Sequence, residues 1–451
     1  MNKRRLLCGF LPLFLLIVQV GHTWLDDTAV AGDRESLQEL GIDASALTPQ
    51  QLERFLRGRD FFLNETFDGN GRTCETCHLH STPRDNFDLS PQDVRRAFDE
   101  DPTAPLFRSI DSDDGQSDNY SILLRDATVR IPFTLPSNVT VDEVDSPNVT
   151  VNPDGTITVV VRRSTPTIDN IVFEDQLMWD GRFDDDLLSQ ASEAVVTHNE
   201  PGRLPTRREE RDMAFFQEQF FSNPALRSFE EGGPPPELPQ GRSNAERRGR
   251  TFFVESGPVI DADHRGLCAT CHAGPLLNTT GQGNPVALPG ERLTNNFVSE
   301  SNMQFGNQYP ELTYRFTLTY NVLMPEGLPF IPIEPGTPVI PAGTVLTLRS
   351  SDPGRLLVTG DPCEIASACI LNPGSTVSIF KIPTLWGVAD SAPYFHNNSS
   401  KNFQELMDVY QFLFEVTADA LNNPAFRISQ RDRADIISYM RFAFRRRLVS
   451  P

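Results

Sequence analysis

At 451 residues the chain exceeds one ordinary hydrophobic core, so two domains large enough to enclose prosthetic groups is the natural reading. A formal charge of −21 makes most of the surface acidic, which argues against a nucleic-acid partner. Such a surface can steer a basic protein partner in a salt-dependent way, although solubility alone accounts for the same charge.

The first residues join a basic start, Lys3, Arg4 and Arg5, to a largely apolar run from Leu6 to Val20. That pattern reads as a secretory signal, and Pro12 together with the shortness of the run favours cleavage over a permanent span. We place the signal, or an N-terminal anchor if it is retained, at 1–31, where Ala29 and Ala31 supply the small residues of an exit site. Export implies a periplasmic, oxidising setting with no stable membrane insertion once the signal is removed.

Downstream, LTPQQLERFLRGRDFFL (47–63) predicts a helix with a Thr48 cap and Leu52, Phe55, Leu56 and Phe62 along one face. It leads into TCETCHLH (73–80). VTVDEVDSPNVTVNPDGTITVVVRR (139–163) alternates valine and threonine about a Pro-Asp-Gly turn and reads as a β-hairpin. EEGGPPPELPQGRS (230–243) is the most linker-like stretch, and divides the mature chain into 32–235 and 236–451. The second half repeats the first plan: a helical lead-in from Asn244, then CATCH at 268–272, 194 residues after its counterpart. From about Phe316 to Thr359, proline-punctuated apolar runs predict a second β-rich excursion. The CEIASAC loop that follows reads as a local disulfide between Cys363 and Cys369, worth roughly 2 kcal/mol. SQRDRADIISYMRFAFRRRL (429–448) closes the chain as an amphipathic helix with basic residues in its last turn.

The order cysteine, two residues, cysteine, histidine is that of covalent haem c attachment. Two thiols one turn apart meet the vinyl groups, and the next residue lies under the iron. Cys74, Cys77 and His78 form one such set, and Cys268, Cys271 and His272 a second. A thioredoxin-like pair would sit at a helix start after a strand and needs no histidine. A four-cysteine zinc site is a poor match to so wide a separation. The predicted cofactors are therefore two haem c groups. The predicted fold is mainly α, with two cytochrome c-like haem domains carrying β-rich insertions.

Beyond both CxxCH motifs, STPTIDN (164–170), MWDGR (178–182), CHAGPLL (271–277) and FKIPTLWGVADSAPYFHNNS (380–399) occur in order along the chain. Together they resemble the bacterial dihaem cytochrome c peroxidase family, which includes the methylamine-utilisation (MauG-type) dihaem enzymes. The resemblance implies hydrogen peroxide cleavage at the N-terminal haem, on His78, and electron storage or passage at the C-terminal haem, on His272. In that family the distal ligand of the second haem follows the histidine of PYFH by fourteen residues, which here reaches Tyr410. Relay peroxidases have methionine there and MauG-type enzymes tyrosine; Met407, one turn earlier on the same helix face, is the rival ligand. An anionic phenolate favours ferric and higher states, whereas a thioether favours ferrous iron. We expect that helix to be capped near Ser399 or Ser400.

Several departures bear on the chemistry. No histidine lies between His80 and His198, so the distal side of the first haem is expected to be open or to hold water. Where the resemblance places a distal glutamate this chain has Leu188, within DDDLLSQA. Asp186 by a shift of register, or Glu193 or His198 in space, are the alternatives for acid–base work, and Gln176 resembles the distal glutamine. With no tryptophan before the TPT sequence, Trp386 and Tyr394 are candidate electron-hopping residues or simply core. DSDDGQSDN (111–119) has the oxygen ligands for the calcium ion that the family binds between its domains, or is a solvated loop. The leading expectation is a periplasmic dihaem oxidoreductase that reduces hydrogen peroxide. Its electrons come from a small redox protein or an oxidisable protein partner. The rival readings are a dioxygen-using dihaem oxygenase and a non-catalytic electron carrier.

Overall fold

The computed structural model describes residues 47–79, 87–257, 260–285, 287–295, 309–321, 341–362 and 378–447. The signal segment and the Cys363–Cys369 pair lie outside the described residues. The chain is mainly helical with small antiparallel sheets, as expected. In chain order the helices are α1 (Pro49–Asn64), α2 (Pro91–Glu100), α3 (Ser121–Asp126), α4 (Leu187–Asn199), α5 (Arg207–Gln217), α6 (Pro224–Glu230), α7 (Asn244–Thr251), α8 (Leu356–Thr359), α9 (Phe403–Ala420) and α10 (Gln430–Ala443).

Their starts follow from local chemistry. Thr48 caps α1, Ser243 caps α7 and Ser429 caps α10, each in a capping box whose third helical residue reaches back to the cap. The cap of α9 is Asn402, which accepts from the backbone N–H groups of Gln404 and Glu405, rather than Ser399 or Ser400. The last of these serines is instead tied into a β-bridge with Tyr394.

Two helix pairs repeat. α1 crosses α5 at Gly58, where an added Cβ would lie 2.0 Å from the Asp212 carbonyl oxygen; α7 crosses α10 at Gly249, 2.1 Å from that of Asp435. Only a residue without a side chain allows backbones so close. Beside each glycine an arginine grips the same aspartate, Arg57 Nε to Asp212 at 2.8 Å and Arg248 Nε to Asp435 at 2.6 Å. Aromatic contacts continue the correspondence: Phe62 meets Phe216 at 5.1 Å between ring centroids, and Phe253 meets Tyr439 at 5.5 Å. Each lead-in thus carries the local sequence Arg-Gly-Arg-x-Phe-Phe, at 57–62 and 248–253. The glycine and arginine make one conserved geometry within the molecule.

The two β-rich excursions do not stay apart. The valine-rich turn closes as predicted, with β3 (Val149–Val151) against β4 (Ile157–Ser164), and β1 (Thr128–Thr134) flanks β4 on its other edge. β2 (Val139–Val141), however, pairs with β8 (Leu312–Thr317), which pairs in turn with β9 (Val345–Ser350). The short ladders β5 (Gln176–Leu177) with β6 (Phe183–Asp184), and β7 (Leu293–Asn295) with β10 (Ile379–Lys381), complete the sheets. One continuous core therefore takes Val129, Ile131, Val159 and Val161 from before the linker and Tyr314, Phe316, Leu348 and Ile379 from after it. Residues on both sides of the linker at 230–243 build this β unit, which the linear reading assigned to two separate insertions.

Buried charge locks the junction. Arg163 on β4 is bound by Asp180 and, at 2.7 Å, by Asp352 after β9, with all three side chains almost wholly buried. Arg182 also reaches Asp180, at 2.9 Å. Two carboxylates hold the Arg163 guanidinium above its already high range despite burial. Removing one partner of such a group leaves an uncompensated buried charge.

Candidate functional site

Both CxxCH segments fold as single tight turns. The His78 backbone N–H donates to Cys74 O at 2.9 Å, and the His272 N–H to Cys268 O at 2.9 Å, so each pair of thiols leaves one turn together with the histidine next to them. All four cysteines are free thiols. Burial pushes Cys74 up to about 12 and Cys77 up to about 11, and raises Cys268 and Cys271 as well. These are neutral thiols. A zinc centre would need thiolates, and among the described residues no cluster of three His, Cys, Asp or Glu side chains stands ready for a metal.

The histidines are oriented by their other ring nitrogen. His78 Nδ1 lies 3.0 Å from Phe87 O and His272 Nδ1 lies 2.9 Å from Leu277 O. A carbonyl only accepts, so Nδ1 carries the proton and Nε2 keeps its lone pair. Burial lowers each imidazole to about 4, which keeps both neutral.

All these groups line one largely apolar cavity of about 360 Å³, which also takes in Trp179, Trp386, Tyr394, Met407 and Tyr410. On the C-terminal side the Tyr410 hydroxyl faces His272 Nε2 at 3.4 Å. Burial, with Cys271 and Cys268 beside it, pushes the phenol above its ordinary range, so the pair meets as a neutral hydroxyl and a lone pair. Met407 lies in the same cavity and core, one turn earlier on α9, without that facing contact. On the N-terminal side α4 presents Gln190, Ala191, Ala194, Val195 and His198, one helix face with small residues between its polar ends. Met178 joins them, its Sδ 3.5 Å from Gln190 Nε2. His198 is lowered to about 4, chiefly by burial, and is therefore neutral.

The distal candidates are sorted by this arrangement. Asp186 does not line the cavity: it caps α4, accepting from the Ser189 N–H at 3.0 Å, and the Ser189 hydrogen bonds hold it below the usual carboxylate range. Gln176 sits on β5 behind Gly181, with Oε1 buried and unpaired, and is likewise outside the lining. Leu188 packs against Leu177, Leu187 and Ala214. Gln190 and Met178 are the residues that sequence reasoning passed over. Both stand inside quoted motifs, but only the helix face of α4 and the turn at MWDGR show which side chains turn inward. Glu193 is not in the lining, whereas Glu174 is, held by Arg292 at 2.8 Å and Lys381 at 3.0 Å. Trp386 is core, its Nε1 donating to Pro275 O at 2.9 Å, and Tyr394 stacks on Phe403 at 5.1 Å; both also border the cavity.

In the loop considered for calcium, Asp111 and Asp114 are bonded internally. Asp111 binds Arg72 at 2.6 Å in full burial and accepts from the Arg130 N–H, and Asp114 accepts from the N–H groups of Gln116 and Ser117. No helix among the described residues is long and apolar enough to cross a membrane.

No family model and no curated protein sequence matches the chain. Among solved structures it is similar to a MauG-like protein associated with microbial copper homeostasis, at 15% identity over 87% of this chain and 88% of that one, with a TM-score of 0.41. It is also similar to hydrazine synthase of Kuenenia stuttgartiensis, at 12% identity over 96% and 99% of the two chains, with a TM-score of 0.36. Similarity at these scores is too low to assign a family, and the functional reading rests on the cavity.

Proposed function

We propose that the protein is an exported dihaem c-type oxidoreductase of the cytochrome c peroxidase type, reducing hydrogen peroxide at its N-terminal haem with electrons passed through its C-terminal haem. The observation that carries this reading is that two CxxCH turns, each with neutral thiols and a pre-oriented histidine, open on the same apolar cavity with Tyr410 facing one of them. The residues fit the group. The cysteine pairs at 74 and 77 and at 268 and 271 would hold the two haems covalently, His78 and His272 would supply ligand nitrogens, and Tyr410 would be a further ligand for the C-terminal group. Bound iron supplies the redox change that no side chain here provides.

The remaining tasks belong to the chain. Phe87 O and Leu277 O fix the imidazole tautomers, an outer contact that raises ligand basicity. The apolar lining excludes water and strengthens the polar contacts that remain. At the N-terminal side His198 is the group that would hold or move a proton and Gln190 one that would hydrogen-bond, in place of Asp186 and Gln176. A calcium ion between the domains would need ligands other than the internally bonded Asp111 and Asp114. A small redox protein or an oxidisable protein partner would supply electrons.

A dioxygen-using oxygenase is the second reading, favoured by one observation: α4 brings Gln190 and His198, and no carboxylate, to the cavity face. The test is to add one equivalent of hydrogen peroxide to the purified ferric protein and record its Soret and near-infrared spectra. Rapid conversion without prior reduction is expected. A spectrum that responds only after one-electron reduction overturns the open N-terminal site, and one indifferent in both states, with oxygen consumed on an alkene, selects the oxygenase.

A further inference from the structure

An open hollow on the far side of α9 and α10 inverts the charge of the molecule. It is lined by Arg242, Arg433, Arg441, Arg445 and Arg447 against Glu246. Arg433 is neutralised by Asp408 and reaches Gln411 at 2.9 Å. Counting Glu246 and Asp408 against the five arginines leaves three positive charges, in a chain whose formal charge is −21. Helix polarity explains one basic residue in the last turn of α10, Arg441, but not Arg242, which arrives from the linker 199 residues earlier and lays its guanidinium over the Phe442 ring at 5.0 Å. Arg441, Arg445 and Arg242 are exposed, and among the described residues the Arg441 guanidinium makes only a long contact, 3.4 Å, to Gln404.

Position gives the hollow its meaning. α9 turns Leu406, Met407 and Tyr410 to the buried cavity and Gln404 to the hollow; α10 turns Ile436 and Met440 inward and Arg433, Ile437 and Arg441 outward. The two sites thus share their walls and are separated by about one helix diameter, ~10 Å. We propose that this basic hollow is the docking site for the acidic face of a small one-electron redox protein, the donor for the C-terminal centre. The proposal rests on the dihaem reading. In the docked pair one electron leaves the partner and one arrives at the centre beyond Tyr410, with no bond made or broken. The net charge of −21 works against such a partner over the surface as a whole, so the hollow also sets its orientation.

The test uses the full-length haem-loaded protein and two probes. Fluorescently labelled poly-L-glutamate is expected to bind the wild type, about tenfold more weakly when salt is raised tenfold, and about tenfold more weakly to Arg441→Glu/Arg445→Glu at low salt. Arg95→Glu/Arg265→Glu, a reversal of equal size elsewhere, is expected to bind like wild type. Equal binding by all three proteins, or none by the wild type, overturns the docking site. In the second arm, stopped-flow reduction by anionic ferrous EDTA is expected to slow in the first double variant while reduction by cationic hexaammineruthenium(II) quickens. Lost polyglutamate binding with both rates unchanged overturns the role in electron entry. A chain without haem absorbance overturns the dihaem reading and the electron-entry role with it, while the binding arm still decides whether the hollow takes an acidic partner.

Discussion

In the N-terminal half the CxxCH histidine shares its cavity with α4, which offers Gln190 and His198 across a stretch of alanine, and with Met178. In the C-terminal half the equivalent histidine looks directly at Tyr410, 3.4 Å away, from an α9 otherwise packed with Leu406, Met407 and Phe414. The frames beneath them are the same: a helix crossing at a glycine, an arginine on an aspartate, a pair of aromatic rings, then a tight turn with two thiols. A repeated frame carries each CxxCH turn, and the element that is not repeated, α4 or α9, faces that turn across the cavity. That division is economical because helix pairing tolerates little change while the facing helix needs only one altered side chain.

The comparison breaks most visibly at the thiols. Cys74→Ser/Cys77→Ser and Cys268→Ser/Cys271→Ser are each expected to halve covalently bound haem per chain in a pyridine haemochrome assay; an unchanged content for either pair would remove that turn as an attachment site. Next come the crossings. Gly58→Ala and Gly249→Ala should each destabilise by about 2 to 3 kcal/mol in denaturant titrations, since the new methyl must push backbone apart. Markedly unequal losses would show that the two crossings are not equivalent. A smaller effect is expected at the differing helix: Tyr410→Met should raise the reduction potential of the C-terminal centre in a redox titration while Met407→Leu leaves it in place. The opposite result makes Met407 the ligand.

A pH titration tests the junction between the halves. His396 is buried against Phe380, with ring centroids 3.8 Å apart, and desolvation lowers it to about 3. Its folded pKa lies below the unfolded value of about 6.5, so the unfolded chain binds the extra proton as pH falls. Its contribution is full above about pH 6.5 and is lost progressively down to about pH 3. His396→Phe should therefore flatten the acid limb of a stability-versus-pH curve relative to wild type, and an unchanged limb would rule out His396 as its source.

Much of the local structure was legible in the sequence because it depends on neighbours in the chain. Thr48 caps where the pattern places it, the second lead-in helix begins at Asn244 as read, and the Pro-Asp-Gly turn joins β3 to β4. Asn402 was missed because two serines just before it were equally good caps by composition, and Ser400 was taken by pairing with Tyr394. The pairing of β2 with β8 could not be read at all: Val139 and Phe316 are 177 residues apart, and nothing in either segment names its partner. For the same reason the linear reading set one β-rich insertion on each side of the linker, although their strands pair across it.

Tyr410 was singled out by the register of the family resemblance, whereas the sequence by itself determined the two CxxCH turns and the helices that lead into them. Those features need only spacing, caps and periodicity, which act within a few residues. Only the tertiary structure decided that Asp186 is a cap and Gln176 lies behind Gly181. It also showed that His198 and Gln190 face the cavity, and that arginines from the linker, α10 and the segment after it gather on the outside of α9. Facing and gathering are set by which surfaces bury one another, and burial is a property of the packed chain that no local pattern carries.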